Sequence, residues 1–301
     1  MSSIFVTGGT GFIGQAFLRG LERSSHDAIY CLTRSGALPA GLRPSTSLRP
    51  VRGTLRDAGS YSEALGASDI VVHLAAATAK ARREEHFAVN AEGTRALLEQ
   101  CRRSGTKRLL HVSTIAVRFA DKSSYPYAQS KELAERAVQT SGLRHVIVRP
   151  TIVIGKGGGA WRGISTLARS PVLVVFGDGT ARVQPIHVDD LVRCLLHVVS
   201  EGRFADEVLE LGGPEEATFE GFLKDVHRAL RGREPRRALR LPVGPLMKVL
   251  AALERPFAPL LPITAGQLAA FCNDTTARPN PIFERFAPEM KRIREMIELA
   301  I

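Results

Sequence analysis

The chain has 301 residues, of which 44% are hydrophobic and 24% charged, so we expect an ordinary globular protein with a sizeable core. The net charge of +11 permits acidic ligands such as phosphates, but the arginines are scattered and accompany no nucleic-acid motif, so nucleic acid is not expected as a partner. No stretch approaches the roughly 18 apolar residues of a membrane span, which leaves weak association with anionic surfaces as the only membrane contact we expect.

The cysteines point to a reduced, metal-free protein. Cys31, Cys101, Cys194 and Cys272 are far apart and form no Cys-x-x-Cys pair, so neither a metal site nor a disulfide framework is predicted. Reduced thiols favour a cytoplasmic location. A glycine-rich turn begins almost at the N-terminus, and we therefore expect no signal peptide.

The first predicted unit is a strand, a glycine turn and a helix. Ile4, Phe5 and Val6 predict a short buried strand, and apolar residues then recur at helical spacing up to Leu21. Between them, Gly9-x-Gly11-x-x-Gly14 fits the dinucleotide fingerprint, in which the glycines make a tight turn, admit a pyrophosphate and let helix pack on strand. A plain strand-to-helix turn is the alternative. The cofactor contacts expected in this turn are Gly8, Gly9, Thr10, Gly11, Phe12, Ile13 and Gly14.

The second predicted strand bears on the choice of cofactor. Ala28 to Leu32 is an apolar run that ends at Thr33-Arg34-Ser35. In dinucleotide-binding folds an acidic residue at this point binds the ribose 2′-hydroxyl, whereas arginine suits a 2′-phosphate. Arg34 therefore favours NADP(H), and NAD(H) stays open.

The following elements alternate between strand and helix patterns as far as residue 150. The predicted strands are 48–51, 69–76, 108–112 and 145–148, and the predicted helices are 84–101 and 126–138. This alternation predicts an α/β fold with right-handed crossovers, a Rossmann-type doubly wound parallel sheet.

After Pro150 the pattern loosens into a smaller, mostly helical C-terminal substrate domain. Residues 155–159 predict a flexible glycine loop, and 172–176 and 208–211 predict further strands. The segment 241–263 mixes leucines with prolines and predicts short helices or an apolar lip. We expect residues 1–155 and 186–212 to form the dinucleotide domain, and 156–185 and 213–301 the substrate domain.

Tyr127 and Lys131 are the residues most directly expected to take part in catalysis. Their i, i+4 spacing places both on one helix face. An ammonium beside a phenol is expected to lower its pKa from about 10, so that the tyrosine can exchange a proton with a carbonyl or alcohol oxygen. Ser113 and Thr114 end the strand 108–112, and either hydroxyl could bond the same substrate oxygen.

Together these motifs resemble the extended short-chain dehydrogenase/reductase family, the NAD(P)-dependent epimerases and dehydratases, over most of residues 1–212. Besides the glycine turn and the Tyr127–Lys131 pair, the matching segments are His73-Leu74-Ala75-Ala76, Asn90-x-x-Gly93-Thr94, Arg149-Pro150-Thr151 and Gly177-Asp178-Gly179 leading to His187-Val188-Asp189-Asp190. The resemblance implies that Tyr127 is the catalytic acid/base, that Lys131 holds the nicotinamide ribose, and that Thr114, or alternatively Ser113, supplies the third group of a triad. It also implies that residues 187–190 begin a helix and do not bind a metal.

The resemblance extends to further contacts and to partners. The additional implied cofactor contacts are Arg34, Thr54, Leu55, Leu74, Ala75, Ala76, Ser113, Tyr127, Lys131, Pro150, Ile152 and Val153. The implied substrate contacts are Thr78, Ser113, Lys156, Trp161 and Arg182. A small-molecule substrate is expected, and a homodimer is left open.

The sequence departs from the family pattern at two positions, one expected to contact the adenine of the cofactor and one expected to contact the diphosphate of a nucleotide sugar. Thr54 stands where the family usually has the aspartate that contacts adenine, so that contact is weakened or moves to Asp57. Val183 stands where nucleotide-sugar epimerases have an arginine for the diphosphate, with Arg182 one residue earlier. If this segment is extended, Arg182 faces away from the pocket. The remaining cationic candidates for a diphosphate are Lys156 and the arginines between 231 and 240. We therefore predict that UDP and dTDP bind poorly and that the pocket beside Tyr127 is partly apolar.

The region 177–190 resembles more closely the branch near an accessory NADPH-binding subunit of respiratory complex I and the 3β-hydroxysteroid dehydrogenase-like reductases. That branch leaves two classes of function open. The chain is an NAD(P)-dependent oxidoreductase or epimerase, acting on a nucleotide sugar or a lipid-like alcohol, or it is an NADPH-binding accessory module without turnover.

Overall fold

The computed structural model describes residues 2–23, 26–45, 47–78, 81–235, 237–244, 246–247, 250, 253 and 264–301. Most of the segment 241–263, for which the sequence predicts short helices or an apolar lip, lies outside the described residues.

The described strands and helices are numbered separately in chain order. Strands β1 to β13 are Ile4–Thr7, Ile29–Thr33, Leu48–Arg52, Ile70–His73, Arg108–Val112, Arg144–Pro150, Val153–Ile154, Val172–Phe176, Arg182–Val183, Ile186–His187, Glu207–Leu211, Ala217–Thr218 and Arg237–Leu241. Helices α1 to α11 are Phe12–Leu21, Ser62–Gly66, Arg83–His86, Gly93–Ser104, Pro126–Gln139, Gly159–Ala168, Val188–Glu201, Phe219–Arg231, Ala265–Cys272, Pro281–Phe286 and Ile293–Ala300.

A seven-stranded sheet in the order β11-β6-β5-β4-β1-β2-β3 organises the N-terminal two thirds of the chain. Every pairing within it is parallel. The chain runs outward from β1 to β3 and then returns to the other side of β1 with β4. The order therefore reverses between β1 and β4, which is where open α/β sheets leave a crevice at the carboxyl ends of their strands. The predicted Rossmann-type doubly wound fold is confirmed.

Both faces of this sheet are covered by helices. Val6, Val72 and Leu110 pack in the core beneath α1 and α7. Their neighbours Phe5 and Val71 point to the opposite face, toward α2, α4 and α5. Burial on both faces explains why the strands are continuous apolar runs in the sequence.

A second hydrophobic core is built mainly from α6, α8, α9 and α11. Its large members include Trp161, Phe219, Phe222 and Leu268, and Phe271 stacks on Phe219 with ring centroids 4.5 Å apart. The parallel pair β8–β13 lies beside this core. The exact domain boundaries given above stay a prediction.

One predicted helix is interrupted. Instead of a single helix over 84–101, α3 ends at His86, a π-helical turn spans Phe87–Glu92, and α4 begins at Gly93. Asn90 lies in the π turn, where its Oδ1 accepts from Ala77 N at 2.7 Å and its Nδ2 donates to Ser130 Oγ at 2.9 Å. Such insertions often occur at functional sites, and this one ties the loop after β4 to α5.

Candidate active site

Gly8 and Gly14, at the turn between β1 and α1, lie so close to neighbouring backbone that they leave no room for a side chain. Gly8 has φ +74°, and a β-carbon built on it would lie 2.5 Å from Leu74 C. A β-carbon on Gly14 would lie 2.7 Å from Gly9 Cα and closer still to Gly8 O. Gly11 precedes α1 and provides no side-chain cap, so the first N–H groups of the helix stay available to an anion. This cradle fits the pyrophosphate of a dinucleotide.

The Phe12 ring joins this turn to a second predicted cofactor segment. A β-carbon on Gly155 or Gly158 would lie 3.0 Å from the Phe12 ring, so the turn after β7 packs directly against the start of α1. Pro150 ends β6, and Ile152 and Val153 follow it half-buried on the way to that turn. The structure therefore brings residues 8–14 and 150–158 together.

Two arginines end adjacent strands at the same edge. Arg34 follows Thr33, and Thr33 is paired in register with Arg52 at the end of β3. Both arginines are exposed, and within the described part of the chain neither guanidinium makes an ion pair. Thr54 and Asp57 are exposed just beyond β3, whereas Leu55 is buried.

Lys131 lies inside the protein, one turn after Tyr127 on α5. Its side chain is 1% exposed, and Nζ donates to Val112 O at 2.7 Å and lies 3.2 Å from His111 Nε2. Burial lowers the pKa of Lys131 to about 7, although the Glu135 carboxylate acts in the opposite direction.

The expectation that Lys131 lowers the pKa of Tyr127 is wrong. Desolvation raises the pKa of Tyr127 to about 12, so the free phenol is neutral at pH 7. The Lys131 ammonium is held at the end of β5 by Val112 O and His111, and burial of the phenol dominates its pKa.

The two candidate hydroxyls differ in their surroundings. Ser113 Oγ is buried and has no hydrogen-bond partner among the described residues. Thr114 is half-buried, and its Oγ1 accepts from Ala116 N at 3.3 Å, which caps the short 3₁₀ helix Ile115–Arg118. A capping hydroxyl keeps its O–H free to donate, so both assignments stay open.

Aromatic and apolar side chains surround Tyr127. The rings of His86 and Tyr125 each lie 5.8 Å from the Tyr127 ring. Phe119 stacks on Tyr125 at 6.4 Å, and α9 approaches so closely that a β-carbon on Gly266 would lie 2.6 Å from Tyr125 Cε2. Phe119 is buried behind Tyr125, so the half-buried Tyr125 ring is the aromatic surface that these contacts place beside the phenol.

A buried polar network fixes the loop that carries Leu74, Ala75 and Ala76. His73 Nδ1 lies 2.6 Å from Thr7 Oγ1, and its Nε2 lies 2.8 Å from Thr94 Oγ1. These bonds join β4 to β1 and α4. The motif Asn90-x-x-Gly93-Thr94 was the sequence signal for this network, but its partners could not be read from the spacing.

The predicted substrate residues are spread over the surface and the second core. Thr78 and Lys156 are exposed, whereas Trp161 is 5% exposed and packs in the second core. Arg182 Nη2 makes an exposed ion pair with Glu216 at 2.5 Å, and its neighbour Val183 is buried on the other side of β9. The ring contacts of Tyr127 involve His86 and Tyr125 and none of these side chains. Their substrate roles stay predictions.

The segment 187–190 begins a helix, as predicted. The His187 side chain accepts from Asp189 N at the start of α7, and the buried Asp190 accepts from Lys291 N at 2.9 Å. Among the described residues, no three histidine, cysteine or acidic side chains form a group able to hold a metal ion. The same part of the chain contains no helix with the length and apolar character needed to cross a membrane.

Comparison with known proteins finds one matching protein family and several similar proteins. Residues 4–212 match the model of the NAD dependent epimerase/dehydratase family. The chain is 33% identical to a ceramide reductase of Caulobacter vibrioides over 189 residues, which cover 62% of this chain and 57% of that protein. It is 30% identical to a 2-alkyl-3-oxoalkanoate reductase of Stenotrophomonas maltophilia over 208 residues, which cover 62% of each chain. The chain thus spans about three fifths of the length of these two relatives.

Among solved structures, DesIV, a dTDP-glucose 4,6-dehydratase of Streptomyces venezuelae with NAD and TYD bound, is 27% identical. It superimposes with a TM-score of 0.67 over 80% of this chain and 84% of its own.

Proposed function

Because this chain belongs to the NAD dependent epimerase/dehydratase family and is an enzyme of the extended short-chain dehydrogenase/reductase type, we propose that it is a nicotinamide-dependent reductase of a lipid-like carbonyl compound. The observation that carries the substrate class is the half-buried Tyr125 ring beside Tyr127, which the buried Phe119 supports from behind. Both curated relatives described above are named as reductases of lipid-like compounds, which supports the same class.

The chain's own residues would hold the cofactor at both of its ends. The turn from Gly8 to Gly14 and the N-terminus of α1 bind the pyrophosphate. Arg34 and Arg52 flank the adenosine ribose and favour a 2′-phosphate, because neither has another anionic partner in the described residues. The third N–H of Lys131 binds the nicotinamide ribose. When bound, the nicotinamide supplies the hydride.

Tyr127 then acts as the general acid. Its neutral phenol donates a proton to the carbonyl oxygen of the substrate. Because burial raises its pKa to about 12, the phenol is a weak acid at pH 7, and the transfer depends on nearby positive charge. Ser113 or Thr114 donates a hydrogen bond to the same oxygen and positions it. Lys131 provides positive charge close to the phenolate that forms.

A nucleotide-sugar dehydratase or epimerase is the second candidate, favoured by the likeness to DesIV. Three of the arginines that a diphosphate could use are already engaged, whereas Lys156 is exposed and makes no ion pair among the described residues. Arg182 pairs with Glu216, Arg231 donates to Arg169 O at 2.6 Å, and Arg240 pairs with Glu220 at 2.9 Å. These contacts favour the lipid-like class.

The expulsion of water in a dehydratase is assisted by a group that donates a proton to the leaving oxygen. Ile115 and Ala116, which follow Thr114, are buried and apolar. The two positions after Thr114 therefore place no carboxylic acid beside the hydroxyls, and Asp121 further along the same loop is exposed, which favours reduction over dehydration.

The test compares wild type with Tyr127→Phe, which removes only the hydroxyl. NADPH consumption is measured with long-chain 3-oxo compounds. Conversion of UDP- and dTDP-sugars, which would consume no net cofactor in a dehydratase or epimerase, is followed separately by product analysis in the presence of NAD⁺ or NADP⁺. We expect turnover with the long-chain compounds and a loss of roughly 10²- to 10⁴-fold in the variant, with unchanged NADPH affinity.

Turnover of the sugar nucleotides alone would return the protein to the second candidate. Full turnover in Tyr127→Phe would remove the mechanism. Tight NADPH binding without turnover on either substrate set would support an accessory module instead.

A further inference from the structure

We propose that His111 is a positioning residue for the reaction, which holds the Lys131 ammonium at the end of β5 with one N–H directed to the cofactor ribose. This inference rests on the proposed function, because it assigns a task to a side chain behind the cofactor-binding lysine. The imidazole itself contacts neither cofactor nor substrate in this proposal.

The first observation is that only two hydrogen-bond acceptors contact the buried Lys131 ammonium in the described part of the chain. Lys131 Nζ has three N–H groups, and two of them meet Val112 O at 2.7 Å and His111 Nε2 at 3.2 Å. In the described part of the chain, Lys131 makes no ion pair with a carboxylate. Glu135 lies one turn further along α5, but its carboxylate is bound by Arg149 at 2.6 Å. The lone pair of His111 is therefore one of two direct supports for the charge.

The second observation is that His111 is poorly explained as a purely structural residue. It is fully buried, and its Nδ1 has no hydrogen-bond partner among the described residues. If Nε2 accepts from Lys131, the hydrogen of the neutral ring is on Nδ1, and a buried N–H without a partner is destabilising. A leucine would fill the same strand position without that cost. The contribution of His111 is therefore its bond to Lys131.

The surroundings keep His111 neutral and in place. Burial, Lys131, His73 and His145 all hold the pKa of His111 well below its ordinary value, so the ring stays neutral throughout the neutral range and one of its two nitrogens can accept a hydrogen bond. The His73 ring lies 5.1 Å away in the adjacent strand and is fixed by Thr7 and Thr94. From α5, Tyr127 and Glu135 are the other titratable groups on the face that carries Lys131.

A hydrogen bond to a charged group corresponds to about one to two pKa units. Burial already places the pKa of Lys131 at about 7. Removal of the His111 acceptor should therefore lower the pKa of Lys131 further, so that Lys131 loses its proton at a lower pH. Because ligand binding that needs a protonated lysine weakens above the pKa of that lysine, the effect appears as a pH shift in cofactor affinity.

The experiment is a titration of the full chain with NADPH, from pH 5.5 to 9, for wild type, His111→Leu and His111→Gln. Affinity should weaken with rising pH in wild type, and the decline should begin about one to two pH units lower in His111→Leu. At pH 7.5 the variant should bind at least about tenfold more weakly, and the difference should narrow toward pH 5.5. His111→Gln restores an acceptor and should move the profile back toward wild type. Titration of the cofactor's own phosphate cancels, since the proteins are compared at each pH.

Two controls make the outcome decisive. Lys131→Met should remove this pH dependence altogether, and His111→Phe provides a planar apolar substitute if the leucine variant does not fold. An equal loss of affinity at every pH, or an unchanged profile in both apolar variants, would overturn the inference while leaving the proposed function intact. Failure of wild type to bind NADPH or NADH at any pH would instead overturn the proposed function, and this inference with it.

Discussion

The substitution Gly14→Ala tests whether the close approach of α1 to β1 shapes the phosphate site. The new β-carbon would lie 2.7 Å from Gly9 Cα and closer still to Gly8 O, and both are backbone atoms that cannot rotate away. Alanine is the better helix former by roughly 0.5–1 kcal/mol, but overpacking typically costs about 1–3 kcal/mol. The clash should win, with a net loss of about 1–2 kcal/mol in the free energy of unfolding. Because the turn must also move, NADPH affinity should fall at least about tenfold.

Gly159→Ala is the matched control, because it makes the same chemical change at the first residue of α6. No atom lies within 4 Å of the position that its β-carbon would take, so it should be neutral or slightly stabilising, with unchanged NADPH affinity. Denaturant unfolding and NADPH titration measure both effects. A Gly14→Ala protein as stable as wild type, with wild-type NADPH affinity, would refute the reasoning.

Three further predictions concern the cofactor, the substrate and pH. Arg34→Ala should weaken NADPH binding by about tenfold or more and leave NADH binding nearly unchanged, as measured by calorimetry; tighter binding of NADH than NADPH by wild type would contradict it. UDP should bind poorly, because Arg182 is paired with Glu216; a low-micromolar dissociation constant that Arg182→Ala abolishes would count against the lipid-like class. Burial lowers the pKa of His73 to about 3 and that of His111 well below its ordinary value, so the unfolded chain binds their protons first as the pH falls below about 6.5. The free energy of unfolding should then decrease by about 2.4 kcal/mol per pH unit from these two groups between pH 6 and 5, and His111→Leu should reduce the slope measured by denaturant unfolding by about 1.2 kcal/mol per pH unit; an unchanged slope in this variant would refute it.

The sequence was most informative where the determining interactions are local. The strand, the glycine turn and the helix at residues 4–21 could be predicted, since glycine spacing and apolar periodicity act over a few residues. The i, i+4 relation of Tyr127 and Lys131 follows from helix geometry alone. The continuous apolar strands likewise indicated a sheet buried on both faces.

The interrupted helix shows where such reasoning stops. Apolar spacing across 84–101 is helical on either side of Asn90, so the pattern contains no sign of a π turn. The turn is held by Ala77 and Ser130, which come from the loop after β4 and from α5. Only the folded chain brings those partners to Asn90.

The pKa values of Tyr127 and Lys131 likewise depend on groups that only the folded chain brings together. The sequence placed Lys131 beside Tyr127, but Val112 O and His111 draw its ammonium toward β5, and burial outweighs its effect on the pKa of the phenol. The amino-acid sequence by itself thus determined the fold class, the strand, glycine turn and helix at residues 4–21, and the placement of Tyr127 and Lys131 on one helix, because periodicity and turn geometry are properties of neighbouring residues. The tertiary structure alone decided the direction of each pKa and the partner of each charge, because desolvation and hydrogen bonding depend on groups that folding brings in from distant parts of the chain.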